Sequence, residues 1–231
     1  MLELPLRMVV SGPSGSGKGI LTSKLLLETF RGKFSKIYYF SASSTLDINL
    51  GPLQKYCEEN LGQGEKDPCL YDSWDEEVLE GILERQKKVC DLVKKRGSKR
   101  KFHICIVCDD FATERRVVRG GTLERLFLRG RHFNASCLVL TQYYRLLSPS
   151  IRTNATALAL FKLRSGADYQ AIMSENSAIV KRKTLEALYD IATSKPFGFL
   201  LILLAESDPA KMFFSGLETR LIPPNANQPP P

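Results

Sequence analysis

The sequence has no long hydrophobic run. Its longest apolar stretch, Phe197 to Ala205, is far too short to cross a bilayer as a helix, so no membrane role is expected. No leader peptide is expected, because the sequence opens directly into the strand-like LRMVVSG, and an intracellular, non-secreted protein is expected. It has no acidic excess: 33 Lys and Arg against 25 Asp and Glu leave a formal net charge of +8. That balance suits a polyanionic partner such as nucleic acid, and it suits equally a basic surface that keeps the chain soluble. No internal repeat and no compositional break mark a second domain. Residues 1–222 are therefore expected to form one unit, with the Pro- and Asn-rich 223–231 as a disordered tail. The one C-x-x-C, Cys105 and Cys108, is not placed for metal. Cys105 and Cys108 lie in the apolar run ICIVC, where residues three apart on a strand point to opposite faces. Reduced thiols are the expectation for all six cysteines, and burial in the core for Cys105 and Cys108.

What is present is an alternation of short β-rich runs and longer helical patterns, the signature of an α/β domain with a mainly parallel sheet flanked by helices. Strands are expected at Arg7–Ser11, Lys36–Ser41, Phe102–Cys108, Ala135–Thr141, Thr156–Lys162 and Phe197–Leu204. Helices are expected at Lys18–Phe30, near Leu53–Asn60 within an irregular stretch from Thr45 to Pro68, at Thr122–Leu128, and around Asp168–Glu175 and Ser177–Ala192. A stronger helix should start at Ser73, which has the S-x-x-E spacing of a capping box with Glu76. Val78, Leu79, Ile82, Leu83, Val89, Leu92 and Val93 then recur at helical spacing, and Lys94, Lys95, Arg96 and Gly97 end the run.

Gly12, Pro13, Ser14, Gly15, Ser16, Gly17 and Lys18 match G-x-x-x-x-G-K, between an expected strand and an expected helix. Glycines let the backbone N–H groups close on phosphate oxygens, the following helix N-terminus adds positive potential, and Lys18 can reach the β- and γ-phosphates. The pattern points to a bound nucleoside triphosphate, ATP foremost. The next position departs from it. Ser or Thr there normally gives a hydroxyl to Mg²⁺. Here it is Gly19, so one metal ligand must be water or another group, and Thr22, a turn later, is not assumed to reach.

Phe102–Asp110 reads FHICIVCDD, an apolar strand ending in acids. Asp109 is the candidate for the Mg²⁺ shell, and Asp110 for orienting or deprotonating the attacking water. ASCLVLT ends at Gln142, a polar amide at the sheet edge where ligands bind in α/β folds and a candidate contact to the γ-phosphate or the water. Arg152 is a candidate arginine finger, with Arg129 and Arg131 as rivals and a solvated arginine as the plain alternative.

The order GPSGSGKG, IVCDDF, RGRHFNASCLVLTQ, SPSIRTNAT resembles the DNA-packaging ATPases of poxviruses and other large DNA viruses, within the FtsK–HerA division of P-loop ATPases. The resemblance runs from about Arg7 to Lys162. It implies a RecA-like core that assembles as a homo-oligomeric ring and pumps double-stranded DNA into a capsid, in host cytoplasm, viral factory or virion. In its terms Lys18 is the Walker A lysine, Asp109 and Asp110 the Walker B pair, Gln142 the sensor, and Arg152 part of an Arg-Asn motif. Asp110 stands where the wider division usually has Glu. Two other readings compete. One is a nucleotide-binding interaction protein with little turnover, on the strength of Gly19; the other is a small-molecule kinase, which lacks an evident acceptor site. The basic cluster Lys94, Lys95, Arg96, Lys99, Arg100 and Lys101 could touch backbone phosphates or simply be a solvated helix end.

Overall fold

A computed structural model describes residues 2–42, 48–111 and 114–224. Apolar, β-branched runs form the strands of one sheet, and amphipathic segments cover both of its faces. Chain order is β1 (Arg7–Ser11), α1 (Lys18–Lys24), β2 (Phe34–Ser41), α2 (Gly51–Leu61), β3 (Leu70–Tyr71), α3 (Glu76–Lys95), β4 (His103–Asp109), α4 (Arg115–Val118) and α5 (Thr122–Arg129). There follow β5 (Ala135–Thr141), α6 (Pro149–Asn154), β6 (Ala157–Phe161), α7 (Gly166–Glu175), α8 (Arg182–Ala192), β7 (Phe199–Leu203), α9 (Pro209–Met212), β8 (Phe213–Ser215) and β9 (Thr219–Leu221).

The strands lie in the order β3-β2-β4-β5-β1-β6-β7-β8-β9. From β3 to β6 every pair is parallel, and β6 to β9 are antiparallel. The central strands are buried on both faces, which is why they read as continuous apolar runs rather than alternating ones. Strand alternation sorts their side chains into two cores. Met8, Val10, Cys105 and Val107 pack with α1 and α2, whereas Val9, Ile106, Cys108 and Val139 pack with α3 to α8. Cys105 and Cys108 therefore sit on opposite faces, and all six cysteines are buried, unbridged thiols. Among the described residues no helix is long and apolar enough to cross a membrane.

Several boundaries differ from the sequence expectations, each for a physical reason. The helix after the P-loop is α-helical only to Lys24 and then widens into a π-helical turn, Leu25–Thr29. Leu25 and Leu26 are both buried there, and the smaller rotation per residue of the wider turn brings two successive side chains onto the sheet. The α3 cap is Asp75, not Ser73: its carboxylate accepts from the N–H groups of Glu77 (2.8 Å) and Val78 (3.1 Å). Glu76 instead accepts from Trp74 Nε1 and the Thr122 N–H. On α3 the buried positions are Leu79, Ile82, Gln86 and Cys90, while Val89 and Leu92 face solvent. Gln86 is buried because its amide donates to the carbonyls of Phe102 (2.8 Å) and Phe133 (2.7 Å), pinning α3 to the start of β4. The last large helix starts at Arg182, and the strand expected from Phe197 starts at Phe199. In the expected loop from Thr45 to Pro68, residues 45–47 lie outside the described residues, as do 225–231 of the expected tail; Pro223 of that tail is buried.

Candidate functional site

The site forms at the C-terminal edge of three adjacent parallel strands, β4, β5 and β1. After Ser11, β1 passes directly into the glycine loop, whose first residue donates its N–H to the Thr141 carbonyl at 3.1 Å. Gly15 and Gly17 adopt φ of +73° and +101°, the left-handed region that glycine enters without steric cost. That conformation turns the loop so that α1 starts at Lys18 with its N-terminus facing the loop. Lys18 is buried, and its Nζ donates to the carbonyls of Gly12 (2.9 Å) and Pro13 (3.1 Å). Burial, the largest influence, lowers its pKa, and Asp110 and Asp109 act against that fall. The Ser16 hydroxyl oxygen is buried and has no hydrogen-bond partner among the described residues. A lysine cation held over loop carbonyls, a buried hydroxyl and left-handed glycines fit a ligand rich in acceptor oxygens, as a triphosphate is.

Gly19 is the second residue of α1, and nothing among the described residues lies within 4 Å of where a Cβ would stand. Thr22 is buried and donates its hydroxyl to the Lys18 carbonyl at 3.0 Å, so that group is committed to the helix.

Asp109 ends β4 and, by strand alternation, shares a face with Cys105 and Val107, the face on which α1 packs. Tyr39 of β2 donates its hydroxyl to Asp109 Oδ2 at 2.8 Å. Asp110 leaves the strand with φ +64°, an uncommon left-handed conformation for a residue with a side chain, while its N–H donates to the Leu140 carbonyl at 3.0 Å. The Asp110 carboxylate is exposed and accepts from Gln142 Nε2 at 2.6 Å. Lys18, Asp109, Asp110 and Gln142 are thus brought to one edge from three strand ends.

Arg152 is placed differently. It is on α6, where its guanidinium pairs with Glu175 and lies over the Tyr144 ring at 5.4 Å. Tyr144 donates to the same carboxylate at 2.9 Å, which closes a three-residue cluster separate from the P-loop group. Arg131 acts electrostatically on Arg7 at the start of β1, the opposite end of the sheet from the glycine loop. Arg129 is exposed at the end of α5.

Two residues at this edge were not singled out by sequence reasoning. Tyr39 sits on the same face of β2 as Ile37 and Ser41, and its only signal was that alternation. Phe197, expected at the start of a strand, adopts φ +61° in a turn, is 68% exposed, and has its ring 3.5 Å from where a Gly17 Cβ would be.

A glycine loop between β1 and α1, acids at the end of β4 and a polar amide at the end of β5, all on a mainly parallel sheet, define a P-loop NTPase fold. Within that class, the chain belongs to the poxvirus A32 protein family, whose profile matches residues 68–207. It is 27% identical over 210 residues to a DNA packaging protein, OPG160, of monkeypox virus, covering 90% of this chain and 64% of that protein. It is 27% identical over 219 residues to the vaccinia virus (strain Copenhagen) protein of the same name, covering 90% of this chain and 72% of that one. The chain therefore spans about two thirds to three quarters of the length of these relatives. Its fold is similar to the genome packaging NTPase B204 of Sulfolobus turreted icosahedral virus 2, determined in complex with ATP-gammaS, at a TM-score of 0.56 and 16% identity over 87% of this chain and 93% of that one. It is also similar to the cytoplasmic domain of the Thermomonospora curvata type VII secretion ATPase EccC, at a TM-score of 0.57 and 14% identity over 88% of this chain and 25% of that one.

Proposed function

We propose that this chain is an ATP-hydrolysing motor that translocates or packages double-stranded DNA, with residues 1–222 acting as one ATPase unit in a ring of identical subunits. The observation that carries the reading is the gathering of Lys18, Asp109, Asp110 and Gln142 at one sheet edge, the two acids and the amide from the ends of β4 and β5 and the lysine from the helix that follows β1. Gly12 to Gly19 hold the triphosphate with backbone N–H groups. Lys18 exchanges the Gly12 and Pro13 carbonyls for phosphate oxygens. Asp109, steadied by Tyr39, would hold Mg²⁺, which would supply neutralisation of phosphate charge. Asp110 accepts the proton of the attacking water as its oxygen bonds the γ-phosphorus and the bond to the β–γ bridging oxygen breaks, releasing ADP. Gln142, tied to Asp110, senses whether the γ-phosphate is present. A finger role for Arg152 requires its release from Glu175. A viral factory or virion inside the host cell, with capsid components nearby, is the setting this reading implies.

The test is turnover with and without double-stranded DNA, comparing the native chain with Lys18→Ala and Asp110→Asn. Turnover stimulated by DNA of any sequence, and a loss of about a hundredfold or more in each variant, is expected. Absence of stimulation together with undiminished variants would overturn the motor.

Gly19 is the one feature that favours the competing reading of a nucleotide-binding protein with little turnover. The open space at this position means that Gly19→Thr should fold normally and restore a metal hydroxyl. A rise in turnover and a shift in its Mg²⁺ dependence are expected; no change in either would mean that water already fills the role.

A further inference from the structure

Beside the phosphate loop lies a cavity of about 510 Å³, within the range of small-molecule sites. Gly17, Ile20, Phe161, Phe197, Leu217 and Thr219 are among its walls. It therefore opens from the loop itself, runs along the first turn of α1 and ends under the β8–β9 turn, where Ser215 pairs with Thr219. Its walls are mostly apolar, and two of them are unusually bare: Ile20 is 63% exposed and Phe197 68%.

Phe197 is also in the wrong conformation for its residue type. The Gly198 N–H donates to the Lys195 carbonyl at 3.0 Å, closing a four-residue turn with Pro196 second and Phe197 third. Proline second and positive φ third is the type II combination, which calls for Gly or Asn at the third place. A bulky residue there, at φ +61°, is strained. Burial does not offset that strain, because most of the ring faces solvent. The turn instead holds the aromatic ring beside Gly17 of the glycine loop.

We propose that this groove is the base subsite of the nucleotide, with the ring of Phe197 stacking on a purine, Ile20 and Phe161 closing the apolar walls, and the Ser215 and Thr219 hydroxyls facing the base edge. The inference rests on the triphosphate reading of the P-loop and adds which part of the ligand supplies affinity away from the phosphates. Stacking on an aromatic side chain tolerates either purine, so adenine and guanine nucleotides should both be held, pyrimidines less well.

The experiment is calorimetric titration of the full chain with a non-hydrolysable ATP analogue and, separately, with inorganic tripolyphosphate, for the native protein, Phe197→Gly, Phe197→Trp and Lys18→Ala. Phe197→Gly is expected to lower affinity for the nucleotide by about tenfold or more while leaving tripolyphosphate unchanged, and to melt no lower than the native chain because the turn is relieved. Phe197→Trp should bind nucleotide as the native chain does. Lys18→Ala should weaken both ligands. If Phe197→Gly binds the nucleotide normally, or loses both ligands equally, the base subsite is wrong while the phosphate loop stands. Normal nucleotide binding with a change in sedimentation would instead make this face a contact with a second copy of the chain. A native protein that binds neither ligand sinks both readings.

Discussion

Lys18 is a cation kept in a buried position, and its titration carries a consequence for binding. Burial lowers its pKa from the ordinary 10.5, with Asp110 and Asp109 opposing. Below the lowered value the ammonium is charged and can hold phosphate; above it the charge is gone. Nucleotide affinity is expected to fall with rising pH before 10.5 is reached, and Lys18→Arg should remove that fall, as titration with a fluorescent nucleotide across pH would read. The sign for stability is opposite. Between the lowered and the ordinary value the unfolded chain holds the proton more tightly, so the penalty from burying Lys18 is relieved as pH rises through that window. Gly12 makes the second prediction at this scale. A Cβ there would stand 2.7 Å from the Phe161 Cβ, an atom tied to the backbone of β6. Gly12→Ala is expected to destabilise the fold by about 1–3 kcal/mol in thermal unfolding. The motif gave the identity of both residues. The packing of Phe161 against Gly12 joins positions far apart in the chain, and no local pattern announces it.

Among the elements, α3 shows where local reading works and where it stops. Its existence, its length and its basic end were legible from periodicity. Its start was not, because two capping signals overlap: Ser73 and Glu76 have the right spacing, and so does Asp75 with its own following N–H groups. Tertiary contacts resolved them. Trp74 is buried against Phe40 and Phe111, and Glu76 is claimed by Trp74 and Thr122, which leaves Asp75 to cap. Asp75→Ala should therefore cost about 1 kcal/mol in denaturant unfolding, and Ser73→Ala close to nothing. The short strands β3, β8 and β9, of two or three residues, carried no periodic signal at all.

Across the whole molecule, charge and chemistry occupy opposite ends of the sheet. The glycine loop and the acids lie at the C-terminal edge of the parallel strands. Lys94, Lys95, Arg96, Lys99, Arg100 and Lys101 are all exposed and lead into the N-terminal end of β4, at the other edge. If that end tracks the DNA backbone, replacing Lys95, Lys99, Arg100 and Lys101 with Glu should abolish DNA stimulation and flatten the salt dependence of DNA binding, while DNA-free turnover stays as in the native chain. Loss of DNA-free turnover as well, or an unchanged salt slope, would place the DNA elsewhere.

The parallel α/β architecture, the phosphate loop and the acidic strand end were readable from order and spacing alone, because each depends on residues close together in the chain. The periods of burial and the turn requirements of glycine act locally. The ties between Gln142 and Asp110 and between Tyr39 and Asp109, the pairing of Arg152 with Glu175, and the groove at Phe197 were decided only by the tertiary structure. Each joins segments tens of residues apart, whose meeting depends on strand order and register, and those are settled by how the two faces of the sheet bury their apolar surface.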